Sequence, residues 1–129
     1  MKTIRKPLPG EFPEYASMYI NLIPDDGKVL THLGNSFLEI NKLVSSLSDE
    51  KLLYRYQKDK WTIKEVLVHI IDDERIYAYR ALRFARNDET ILPGFDQDDF
   101  AKYSDANNRP IANIMEEYEA VRPRNHNPV

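Results

Sequence analysis

The stretch "KWTIKEVLVHIIDDERIYAYRALRFAR", Lys60 to Arg86, constrains the fold more than any other part of the chain. Thr62 and Glu65 stand in the T-x-x-E relation of a capping box, directly after Trp61. In such a box each side chain satisfies a backbone N–H of the other residue, which pins the start of a helix. Ile63, Val66, Leu67, Ile70, Glu74, Tyr77, Ala81, Phe84 and Ala85 then share a face at ~100° per residue. The spacing predicts a helix running to about Arg86, with Arg86-Asn87-Asp88 as its exit.

Two further helices follow from the same periodicity. Val29, Leu33, Phe37, Ile40, Val44 and Leu47 recur at steps of three and four, with Asp25 or Asp26 available as the N-cap. Ser48 can end that helix and cap a short turn, "SDEKLL". Ile111, Ile114, Met115, Tyr118 and Val121 mark a third helix, starting at Pro110 and stopped by Pro123, with Asn107 or Asn108 as its cap. "ILPGFDQDDF" reads as a loop turning at Pro93-Gly94. Pro7, Pro9, Pro13 and Pro24 make residues 1–24 an extended arm with one short turn near Tyr15–Tyr19. Phe12, Tyr15, Tyr19 and Leu22 are expected to face inward from it. No strand alternation occurs, so the expectation is all-α. The third helix is about half as long as the other two, and the inventory is short of a four-helix bundle.

Composition removes several function classes. The chain has no cysteine, so thiolate metal sites and disulfides are out, which fits the cytoplasm. No apolar run reaches the ~20 residues of a membrane span, and "MKTIRKPLPG" lacks the apolar core of a signal peptide. The formal charge is −3 with no basic face, so neither nucleic acid nor membrane is an expected partner.

The W-[ST]-x-x-E-x-x-x-H core, with the trailing L-P-G-F-D loop, the arm "EFPEYASMYINLIP" and the helix "EEYEAVR", resembles the DinB-like superfamily of the YfiT or bacillithiol-transferase type. The resemblance covers nearly all of residues 5–122. It implies an up-down helical bundle, here about three helices of four behind a Pro-rich arm. It also implies a divalent metal, zinc or nickel foremost, held by three histidines and serving hydrolysis or thiol transfer on a small-molecule substrate. One of those histidines corresponds to His69. The other two belong to an H-x-x-x-H motif on a late helix, and this sequence has none. The chain is therefore expected to hold the metal poorly and to be impaired as an enzyme.

The expected organisation is a single domain over 1–129: an arm (1–24), helices (25–122) and an aberrant tail (123–129). "VRPRNHNPV" continues no helical pattern. Read one nucleotide later, the codons of Asn125, His126 and Asn127 can encode only threonine or isoleucine. A frameshift near codon 123 is one expectation, and a natural or engineered truncation is the other.

Taken singly, the candidates each have two readings. With Ile70 at the centre of the apolar face, His69 lies ~100° away, at the edge. It is either an edge histidine or a ligand, and the resemblance favours the ligand. Asp73 either orients the imidazole or makes a fourth metal contact, or else it is a plain i,i+4 partner or an ion pair with Arg80 or the neighbours of Arg83. Glu65 is the capping acid before it is a general base, and Trp61 is a packing anchor before it stacks on substrate. Asp96, Asp98 and Asp99 lack the spacing and glycine of an EF-hand and are expected to form a turn and helix cap. Tyr77 and Tyr79 straddle core and rim. His32 and His126 are read as surface histidines. The competing functional class is a non-catalytic bundle fragment that self-associates, as a homodimer, through its uncovered apolar groove.

Overall fold

The computed structural model describes residues 3–122, and every regular element among them is helical. The α-helices are α1 (Ser17–Ile20), α2 (Val29–Ser45), α3 (Asp49–Leu52), α4 (Ile63–Ala85), α5 (Gln97–Tyr103) and α6 (Ile111–Val121). Two 3-10 turns, Glu14–Ala16 and Ala106–Asn108, complete the set. The described residues divide into two compact units, one up to Ile40 and one from Asn41 to Arg122. The tail 123–129, with His126, lies outside the described residues.

In the first unit the arm is tied back on itself. Ile4 N–H donates to Gly27 O at 3.1 Å, and Lys6 Nζ donates to Ile23 O at 2.9 Å. Gly27 has φ +71°, and a Cβ there would fall 2.4 Å from Thr3 Cγ2. Both the backbone and the close approach therefore need glycine. Arg5 forks onto Glu11 at 2.8 and 2.7 Å. The short turn forms where the arm was expected to bend, but its residues do not face inward. Tyr15 is 75% exposed and Leu22 81%. Each turn there is too short to present a continuous apolar face. Helix α2 begins at Val29 rather than at Asp25, because Asp26 caps the preceding turn by accepting Lys28 N–H at 2.9 Å.

The second unit holds the buried core. Leu52, Leu67, Val68, Ile71, Ala101, Ala106, Ile114 and Tyr118 are all buried. Ser48 caps α3 as expected. The capping box of α4 forms, with Thr62 accepting Glu65 N–H and the Glu65 carboxylate accepting Thr62 N–H. Asn87 leaves α4 at φ 54°, the left-handed exit that asparagine tolerates.

Helices α4 and α6 run in the same sense. Lys64 Nζ donates to Arg109 O at 2.6 Å, Arg75 to Glu117 at 2.6 Å, and Arg122 to Glu74 at 3.0 Å. Residue numbers rise together on both helices, since residues 86–110 carry the chain back before α6 begins. Lys64 is itself buried, at 6% exposure.

Two elements differ from the sequence reading. Helix α5 starts inside the expected loop, although its cap is where the aspartates were expected to make one: the Asp96 carboxylate accepts Asp98 N–H at 2.9 Å and Asp99 N–H at 3.1 Å. The buried face of α4 carries Lys64, Leu67, Val68 and Ile71, about 100° round from the face centred on Ile70. Val66 and Phe84, on the expected face, are 41% and 70% exposed. The helix is apolar on two sides, and the Val68–Ile71 side is the one that packs against α6 and α5.

Candidate functional site

His69 sits in the second turn of α4, held from two directions. The Trp61 ring lies 4.9 Å from the imidazole, centroid to centroid, at 57°. The Asp73 carboxylate, one turn further on, is 3.3 Å from Nε2. The histidine side chain is only 19% exposed, and its Nδ1 is buried without a hydrogen-bond partner among the described residues. A buried ring nitrogen with no partner is unusual, because buried polar atoms are nearly always satisfied. A carboxylate beside the other nitrogen is the arrangement that orients a metal-binding histidine.

Asp73 therefore meets the imidazole and not Arg80. The Arg80 guanidinium instead donates to Pro93 O at 3.1 Å and lies 5.4 Å from the Tyr77 ring centre. Trp61 is half-buried and packs on His69, so the anchor also sets the ring's position. Tyr77 and Tyr79 are exposed. Asp96 caps α5, with Asp98 and Asp99 in its first turn. His32 lies in the other unit, its Nε2 2.8 Å from Asp26 Oδ2.

Glu65 is engaged from all sides, as a cap should be. Its carboxylate accepts from Thr62 N–H at 2.7 Å, Arg55 at 2.9 Å and Asn107 Nδ2 at 2.9 Å. Burial pushes its pKa up, but the Thr62, Arg55 and Asn107 contacts outweigh burial and hold it below the usual range. It is charged and occupied, a poor general base. Asn107 or Asn108 was expected to cap α6, and neither side chain does. Asn107 instead accepts Thr62 Oγ1–H at 2.6 Å and clamps the start of α4 from 45 residues away. No local spacing signals such a contact. Asp72, one turn beyond Val68, is pushed up chiefly by burial, with Arg75 opposing.

The chain matches the DinB superfamily over residues 38–128. It belongs to that superfamily. It is 34% identical over 86 residues to a protein of Oceanobacillus iheyensis named "Putative metal-dependent hydrolase", an alignment covering 66% of this chain and 49% of the relative. The chain thus spans about half the length of that curated relative. No solved structure matches it.

For a DinB protein the donor set can be tested against the residues. His69 offers one donor of the right kind. Among the described residues, no group of three His, Cys, Asp or Glu side chains could hold a metal ion. A complete catalytic site needs about three protein ligands. Residues 3–122 therefore do not fit a whole centre.

Proposed function

We propose that this DinB chain descends from metal-dependent hydrolases or thiol S-transferases acting on small molecules in the cytoplasm, and that His69 is one ligand of the divalent ion, zinc or nickel. The observation that supports this is the buried, unpartnered Nδ1 of His69 with the Asp73 carboxylate beside its other nitrogen. With one donor of three in place, residues 3–122 bind the ion weakly and turn over substrate poorly. A Ni2+ titration followed through the imidazole resonances tests the assignment even at low affinity. The His69 signals broaden first, and His69→Ala removes the effect. Earlier broadening at His32 or His126 would sink it.

A second reading is favoured by one observation. Val66, Tyr77 and Phe84 form an exposed apolar stripe on α4, and stripes of this kind mark association sites. Here the chain is a non-catalytic bundle that self-associates. Light scattering after size exclusion decides: a dimer that Phe84→Asp converts to monomer supports this reading, and a monomer at high concentration eliminates it.

A further inference from the structure

A concavity lies further along α4, where its lining residues Arg75 to Arg80 stand six to eleven residues beyond His69, roughly 9–16 Å at 1.5 Å per residue. Its volume is about 340 Å³, within the ~300–1,000 Å³ typical of small-molecule sites. Ile76, Leu92 and Phe95, all half-buried, contribute to its apolar lining. Tyr79 and Phe100 also line it, and the Phe100 ring is held 5.0 Å from that of Phe95. Pro93 and Gly94 complete the loop side.

The charge of this cleft is one-sided. Its only ionised lining residues are Arg75 and Arg80, and no carboxylate lines it. Arg75 is held by Glu117 at 2.6 Å, a carboxylate it shares with Arg109, so its guanidinium is turned to that pair and adds to the positive side of the cleft. Among the described residues Arg80 meets a carbonyl, Pro93 O, and the Tyr77 ring, neither of which cancels its charge. A guanidinium carries five N–H donors, so Arg80 keeps donors for a planar carboxylate, which it binds in a forked geometry. The Pro93 contact also fixes the guanidinium at the mouth of the cleft.

We propose that this cleft binds an amphipathic monocarboxylate, with its alkyl or aryl body against Ile76, Leu92 and Phe95 and its carboxylate on Arg80. The site is independent of the His69 reading and stands if no metal is ever bound. Isothermal titration with octanoate, 1-octanol and octylamine tests it on the whole chain. Octanoate binds one to one and most tightly, and Arg80→Gln weakens it at least about tenfold, 1.4 kcal/mol. Leu92→Asp, which places a negative charge in the cleft, abolishes octanoate binding and improves that of octylamine. Circular dichroism confirms that each variant is folded, and Arg80→Lys, retaining charge and a donor to Pro93 O, replaces Arg80→Gln if the latter is not. With Arg80→Lys a smaller loss is expected, since an ammonium lacks the fork. The proposal is overturned by octylamine or octanol binding as tightly as octanoate, by octanoate binding unchanged in the folded Arg80 and Leu92 variants, or by no binding at millimolar octanoate.

Discussion

Glu65 and Asp72 stand about two turns apart on α4, and the fold pulls their carboxyls in opposite directions. Glu65 is half-buried, yet its three donors win and its pKa falls below the ordinary 4.5. Its ionised form therefore stabilises the native state at pH above 4.5, and that contribution is lost as pH drops through the lowered value. Asp72 is raised above 3.8, first by burial. Its ionisation opposes folding, and the penalty grows as pH rises from 3.8 through the raised value. In urea titrations Glu65→Gln is expected to destabilise at pH 7 by about 1–3 kcal/mol, the typical loss when such hydrogen bonds are broken, with the gap narrowing as pH falls below 4.5. Asp72→Asn is expected to stabilise at pH 7 and to do nothing near pH 3. Equal pH dependence in the two variants would contradict the assigned environments. The capping role of Glu65 was legible from T-x-x-E alone. The Asn107 clamp was not, because a contact between residues 62 and 107 depends on how the helices pack.

Helix α4 shows how far periodicity reaches at the scale of an element. Its start, exit and length follow from local chemistry: a capping box, a tolerated left-handed asparagine and an unbroken apolar pattern. Its buried side does not, since both Val68-Ile71 and Val66-Ile70 are plausible faces and only the partner helix chooses between them. Thermal and urea unfolding can check the choice. Ile71→Ala, at a site with 0% exposure, is expected to cost about 2–5 kcal/mol, while Phe84→Ala costs well under half as much. The reverse order would restore the face centred on Ile70. Helix α5 was legible only in part. The aspartates marked a turn and a helix cap, as Asp96 proves to be, but too few apolar residues follow for periodicity to give the helix itself. Removing that cap by Asp96→Ala is expected to cost about 1 kcal/mol, read as a lower urea midpoint at unchanged slope. The site divides in the same way. The motif singled out His69, but the Trp61 and Asp73 contacts that hold its ring belong to the folded helix, and the Arg80 cleft needs a loop no periodicity describes.

At the scale of the whole molecule, the two compact units differ in what they bury. Among the described residues up to Ile40 none is fully buried, whereas the unit from 41 to 122 holds every buried core residue. Amide exchange is expected to follow that difference, with residues 3–28 exchanging within seconds to minutes and the central amides of α4 and α6 slowest of all. Comparable protection in the arm would count against this division. The all-α class and superfamily membership were readable from one strong motif. A metal centre was not, because its donors come from distant positions and the described residues gather no group of three. Lys64 shows the consequence of such long-range closure. Its amine is spent on the carbonyl of Arg109 and shielded by the packing of α4 on α6. Lysines on the surface meet an acylating reagent at once, but this one is reached only after the two helices part. Its rate of modification, read by mass spectrometry against the exposed lysines, is therefore a clock for the opening of the core, already wired into the native sequence.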